Sequence, residues 1–230
     1  MKNKILINKL KDNAELAQAA YGYFHLVGKK FKDEEQYPDD KRDKPITLHD
    51  ILDSTYKGYV TSDHTTLINP EELDGDFSPT QAENFFKRYD LLEHCPNTDS
   101  GFSATLFKDL GEFDKKANTR KAVDKDSQYI LSIRGTELST NKTEETIKDL
   151  HTDFLLGTNR HTKQYFDMID FIEIKVKPII YDDITQSYAK MTIVGHSLGG
   201  YLAQMFALTY SYLVDKVYTY NAPLESRSVA

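Results

Sequence analysis

Residues 191–200 read Met-Thr-Ile-Val-Gly-His-Ser-Leu-Gly-Gly, and no other stretch constrains the chain as tightly. Met191 to Val194 is an apolar, β-branched strand. Leu198 to Leu213 is a helical pattern with Ala and Leu and no breaker after its opening glycines. Between them lies G-x-S-x-G, which places a serine hydroxyl at a strand end in a strained turn, clear of its neighbours. Gly195 and Gly199 flank the serine because side chains there would collide in so tight a bend. Gly200 lets the following helix pack close to the sheet. The helix start aims backbone N–H groups, and the positive end of its dipole, at the reacting centre. The five-residue pattern alone would arise by chance in roughly one chain in fifteen of this length. The strand before it and the helix after it are what make it a nucleophile elbow with Ser197 at its apex. His196 is expected to turn away from Ser197 across the bend and to serve as a packed elbow residue rather than as the base.

A chain of 230 residues can form one large α/β domain or two small ones. At that size roughly 70% of the unfolded surface is buried, so no disulfide or metal staple is required. The single cysteine, Cys95, cannot form an internal bridge and reads as a small core residue. The net charge is −7 with no basic stripe, which argues against nucleic acid as a partner. No stretch approaches the ~20 apolar residues that span a bilayer. Met1 to Lys11 is basic, but its apolar run Ile5-Leu6-Ile7 is shorter than the roughly 7–15 residues of a signal-peptide core. The expected location is therefore the cytoplasm, or outside by a signal-independent route.

Along the chain, Asp12 to Gly28 has helical spacing of Leu16, Ala20, Tyr23, Phe24 and Val27, with Asp12 and Glu15 as a capping box and Gly28 as a stop. Lys29 to Lys44 is a mixed-charge, solvated run. Asp74-Gly75-Asp76 is acidic but lacks the ligand spacing of a calcium loop, and no metal or cofactor is expected. Ser78-Pro79-Thr80-Gln81 starts a helix that is expected to run to about His94. Strands are expected at Phe102–Lys108 and Gln128–Arg134. Helices follow at Thr143–Leu156 and Lys163–Lys175, the latter stopping before Pro178. Met191–Val194 and Lys216–Tyr220 complete the strands. The alternation after Gln128 argues for an α/β fold, a parallel sheet with covering helices. We expect residues 1–230 to form a single domain, of which 1–100 is a mostly helical N-terminal region.

Taken together, these residues resemble the class 3 lipase family of the α/β-hydrolase fold, in particular its bacterial phospholipase-type members. The resemblance is carried by Ile193–Gly200 with Tyr201-Leu202-Ala203-Gln204, and by Tyr129–Thr136, similar to the family strand that ends in Arg-Gly-Thr. Asp149-Leu150-His151-Thr152-Asp153, Tyr218-Thr219-Tyr220-Asn221-Ala222-Pro223, the N-terminal helix and Ser100–Ala104 carry it further. It implies that Ser197 takes the acyl group of a lipid or phospholipid ester. It also implies an oxyanion hole made by the backbone N–H groups of Leu198 and Thr136, with a lid region over Glu137 to Lys148.

The chain departs from the family pattern downstream of the serine. The family order is Ser, Asp, His, yet residues 198–230 contain no histidine and only Asp215 and Glu225 as acids. Asp215 precedes a strand of about five residues, which puts it roughly 16 Å from the nucleophile end of the sheet. Glu225 lies past the correct strand end. Among the upstream histidines His151 is the best substitute, because its segment follows the Arg-Gly-Thr strand, but it is expected to sit near the site or the surface without a catalytic role. The expectation is an α/β-hydrolase-like domain whose C-terminal part is missing, with an exposed sheet edge that favours self-association. Besides a lipase or phospholipase, the residues leave open an inert fragment or lipid-binding module. They also leave open a thioesterase, acyltransferase or peptidase built on the same elbow.

Overall fold

A computed structural model describes residues 2–62, 72–114, 116–123, 128–135 and 159–223. The expected helix Thr143–Leu156 and the lid region Glu137–Lys148 lie outside these residues. In chain order the longer elements are α1 (Lys2–Ala19), α2 (Leu48–Leu52), α3 (Pro79–Arg88), β1 (Tyr89–Cys95), β2 (Ala104–Asp109), β3 (Phe113–Asp114), β4 (Thr119–Arg120), β5 (Tyr129–Ile133), α4 (Asn159–Phe171), α5 (Lys177–Ile180), β6 (Tyr181–Asp182), β7 (Ser187–Tyr188), β8 (Met191–His196), α6 (Leu198–Thr209) and β9 (Val214–Tyr220). They group into two compact units, one of residues 1–20, 91–109 and 123–230, the other of residues 21–90 and 110–122.

The first unit is built on a five-stranded sheet in the order β1-β2-β5-β8-β9. β5, β8 and β9 run parallel, as the alternation of strand and helix predicts. β2 pairs antiparallel with β5, so the sheet as a whole is mixed. The reason is the connection. Parallel neighbours need a crossover, usually helical. Between β2 and β5 the described residues supply only the short β3-β4 hairpin, so β5 returns beside β2 in the opposite sense. The α/β-hydrolase-like arrangement thus holds where the elbow sits, with two further strands added on one side.

Apolar side chains from the strands and the covering helices meet in one core. Leu106, Leu131, Ile133, Met168, Ile172, Ile193, Leu202 and Phe206 are all at most 1% exposed. α1 crosses β5, β8 and β9. The Ser132 hydroxyl, itself buried, donates to the Leu16 carbonyl at 2.6 Å and pins that crossing. α1 also differs from its predicted span. It begins at Lys2 and ends at Ala19, and Gly28 closes a later short turn at φ +84°.

The helix predicted to stop before Pro178 continues through it. Between α4 and α5 the chain makes a π turn over Ile172–Val176, in which the Lys177 N–H reaches the Ile172 carbonyl. Proline has no N–H to offer a helix interior. Placed in the first turn of α5, directly after the π turn, Pro178 is accommodated. Lys177 then lies 5.3–5.8 Å from the ring centres of Tyr188, Tyr210 and Tyr212. Glu173 holds its ammonium at 2.7 Å and also accepts from the Tyr210 hydroxyl. Each cation–ring contact is worth about 0.5–2 kcal/mol, so this cluster is a sizeable clamp between α5, the β6-β7 hairpin and the end of α6.

The second unit has short helices and turns among residues 21–88. Thr47 and Asp50 form a reciprocal capping box on α2. Asp50, nearly fully buried, pairs with Lys41 at 2.6 Å, and Lys41 lies 4.6 Å from the ring centre of Tyr56. Tyr37 and Tyr59 stack at 4.0 Å. Asp74 and Asp76 both hold Lys57, at 2.6 and 2.9 Å. Ser78 caps α3 as its sequence predicts. α3 ends at Arg88, however, and the residues expected to extend it to His94 form β1.

Two outcomes test this packing. Phe206→Ala removes a fully buried ring from the first unit and is expected to cost about 3–5 kcal/mol in urea denaturation. Burial, and then the charges of Asp167 and Glu93, push the Cys95 thiol up to about 11. At pH 8 only about a thousandth of it is thiolate, so iodoacetamide should label it roughly a hundredfold more slowly than an ordinary thiol. The labelling rate should climb as pH rises toward 11 and become ordinary on unfolding.

Candidate active site

β8 carries the chain to the elbow and α6 carries it away. Ser197, between them, sits at φ 53°, ψ −126°. A positive φ at a non-glycine residue of this kind costs of order 1–3 kcal/mol and persists only where the surroundings enforce it. Three backbone bonds do so. The Ser197 N–H donates to the Tyr220 carbonyl at 2.9 Å, and the Ser197 carbonyl accepts from the N–H groups of Gly200 and Tyr201 at 3.0 and 3.3 Å. Ser197 and Leu198 are both half-buried.

The glycines fit the steric argument made from the sequence. A Cβ on Gly195 would lie 2.3 Å from the Gly199 carbonyl oxygen. One on Gly199 would lie 2.2 Å from the Ile133 carbonyl oxygen, and one on Gly200 would lie 2.6 Å from the Ala222 side chain. The first and second of these obstacles are main chain and cannot swing aside. Gly199 therefore presses the start of α6 directly against the end of β5. Ile133 is in register with Gly195, and Arg134 and Gly135 continue from it as buried residues. The Arg134 N–H is held by the Ser103 carbonyl at 3.0 Å.

The fold thus brings together the apex serine, the first N–H groups of α6 and the end of the Arg-Gly-Thr strand. Leu198 is the first residue of α6, where an N–H has no acceptor within the helix. Thr136, the other expected oxyanion donor, lies outside the described residues, as do His151 and Glu225. Asp215 is not brought to the site. It is the second residue of β9, at the register shift between the Met191–Val214 and Thr192–Lys216 pairs, at the opposite end of the strand from Tyr220 and the elbow, and it pairs with Lys216. His196 is in register with Tyr220 and half-buried, and that burial lowers its pKa. The burial thus favours the neutral imidazole.

Two features escaped the sequence reading. Asn221 takes φ 52° directly after β9, turning the chain back over the elbow. Gln204 on α6 then donates to the Pro223 carbonyl at 3.3 Å and holds that turn against the helix. An Asn-Ala-Pro run at a strand end was the available signal, since Asn tolerates the left-handed region. The described residues also enclose an open cavity of about 430 Å³ lined by His94, Cys95, Asp167 and Phe171 among others. Ser197 does not line it. There the Thr98 and Ser100 hydroxyls each donate to Asp167 at 2.6 Å.

Gly199→Ala tests the close approach. Its methyl has no space against the Ile133 carbonyl, so a loss of about 2–4 kcal/mol in urea denaturation is expected, together with loss of any reactivity at Ser197.

The family described as Lipase (class 3) matches residues 130–224. No curated protein matches the chain. Among solved structures, the nonglycosylated LIP2 lipase of Yarrowia lipolytica is 18% identical, with 94% of this chain and 58% of that one covered at a TM-score of 0.47. A 1.7 Å structure of Lip2 lipase from the same organism is 20% identical over 76% of this chain and 56% of that one, at 0.41. The lipase of Rhizopus microsporus var. chinensis is 16% identical over 63% and 48%, at 0.39. The chain thus spans about half to three-fifths of the length of these structures. The family match covers the elbow strand, its helix, the strand before the Arg-Gly-Thr turn and the strand after the helix. Residues 130–224 are thus similar to the class 3 lipase family, the resemblance that the elbow and the strand ending in Arg134-Gly135-Thr136 carry.

Proposed function

We propose that this chain carries the nucleophile of a lipase- or phospholipase-type serine hydrolase that cleaves carboxylic esters of lipids. The observation that carries the reading is the backbone of Ser197, a non-glycine residue at positive φ on a strand-to-helix turn. In such an elbow the serine Oγ adds to the ester carbonyl carbon and gives its proton to a base. The carbonyl oxygen becomes an oxyanion held by the N–H groups of Leu198 and Thr136, each worth about 3–4 kcal/mol in the transition state. Collapse breaks the ester C–O bond, the leaving alkoxide takes the proton, and an acyl-Ser197 remains. Water then adds to the acyl carbon, and the acid departs as Ser197 regains its proton.

The base is the open element, because residues 198–230 hold no histidine. Oxyanion donors and binding alone leave about 10³–10⁴-fold acceleration over water in a triad lacking a member. A fluorophosphonate probe is therefore expected to label Ser197 slowly and to leave Ser197→Ala unlabelled. Equal labelling of both proteins would end the assignment of Ser197 as nucleophile. A panel of fatty-acyl esters, thioesters and peptides under the same conditions separates lipid-ester cleavage from the other chemistries an elbow supports. Faster turnover of the thioesters or peptides would overturn the lipase reading.

A further inference from the structure

α1 is two different helices in one. From Ala14 onward it packs inward, with Leu16, Ala17, Ala19 and Ala20 at most 2% exposed. Residues 3–11 are exposed throughout. Their large apolar side chains are open to solvent, with Ile5 at 57%, Leu6 at 55%, Ile7 at 63% and Leu10 at 42%. Residues 2–11 carry Lys2, Lys4, Lys9 and Lys11 and no acidic residue, in a chain whose net charge is −7. At about 100° per residue, Leu6, Ile7 and Leu10 share one arc of the helix. Lys9 borders that arc on one side, with Ile5 beyond it, and Lys4 and Lys11 border it on the other. Lys11 also makes a loose pair with Glu15 at 3.6 Å.

An exposed apolar arc with lysines on both flanks matches an anionic lipid surface. The leucine and isoleucine side chains enter the acyl boundary, and the lysines reach the headgroup phosphates. The position of this segment adds to the match. The Tyr220 hydroxyl donates to the Leu10 carbonyl at 2.7 Å, while the Tyr220 carbonyl accepts from the Ser197 N–H at 2.9 Å. The exposed helix therefore leaves the body of the unit at the same end of the sheet as the elbow. We infer that residues 2–11 dock the chain on an anionic lipid surface, on the side from which Ser197 would meet an ester. The second clause rests on the hydrolase reading; the docking itself does not.

Vesicle flotation with Ser197→Ala, which cannot consume the lipid, tests the docking. The probe is a set of vesicles of phosphatidylcholine alone and of phosphatidylcholine mixed equally with phosphatidylglycerol. The chain is expected to float with the mixed vesicles and not with phosphatidylcholine alone, and to be released by salt. Lys4→Gln with Lys9→Gln should weaken binding more than about tenfold, at roughly fivefold per lysine. Leu6→Glu with Ile7→Glu should abolish it and leave the melting temperature unchanged. No flotation with anionic vesicles, or equal flotation with both kinds, overturns the inference. So does a Leu6/Ile7 variant that still binds. A Leu6/Ile7 variant that melts lower, or that loses a dimer seen in size-exclusion chromatography, would show that protein covers this face, and would also overturn it. Failure of the fluorophosphonate experiment with vesicle binding intact would remove the hydrolase reading and leave the docking standing.

Discussion

The contact on which the rest of the first unit depends is main chain against main chain. The start of α6 meets the carbonyl end of β5 at Gly199, with no room for a methyl group between them. That approach fixes the angle at which α6 leaves the sheet. It sets how tightly Ser197 must turn, and so forces the residue to positive φ. It also brings the first residues of α6 beside Ile133 and Arg134 at the end of β5. Packing of Leu202, Ala203 and Phe206 under the sheet supplies the free energy that holds the turn in place. The turn at Ser197 is strained, and the core below it bears the strain.

Polar ties follow the same logic at longer range. Ser132 is a buried hydroxyl in the middle of β5, and it is satisfied by a helix carbonyl rather than by a strand neighbour. That bond fixes where α1 crosses the sheet. Tyr220 serves two purposes at once, with its carbonyl on the Ser197 amide and its hydroxyl on α1. The position of α1 and the position of the elbow are therefore not independent. In the second unit, the buried Asp50 is paired by Lys41 and by its own capping partner Thr47, as a buried carboxylate requires.

What could be read from sequence follows from what each residue reports. The turn was legible because a glycine forced by close contact leaves its identity in the sequence, and three such glycines, two of them held against main chain, surround one serine. β5 and β8 were legible as apolar, β-branched runs. β1 was not. Phe85, Tyr89 and Leu92 satisfy helical spacing, and only the capping of α3 at Tyr89 distinguishes strand from helix there. The first ten residues of α1 were missed because they bury nothing, so no periodic core face marks them as helix. The sense of β2 was not read, because it lies before the alternating stretch; among the described residues only the β3-β4 hairpin lies between it and β5, and the two strands are antiparallel. The strand-to-helix turn at Ser197 and Leu198 could be read from sequence, whereas the positions of Asn221 and the Tyr220 carbonyl depend on a turn that no single residue type announces.

The π turn at Ile172–Val176 acts as a phase shift in an otherwise regular helical stretch. One additional residue per turn advances every later side chain by about 100° around the axis. Residues before the turn are timed to the core of the sheet, and Lys177 after it is timed to three tyrosines on the β6-β7 hairpin and at the end of α6. A helix of uniform pitch could satisfy one of these schedules but not both. The irregularity lets a single helix address two different surfaces, so an insertion or deletion of one residue between Ile172 and Lys177 would put half of it out of step with its neighbours.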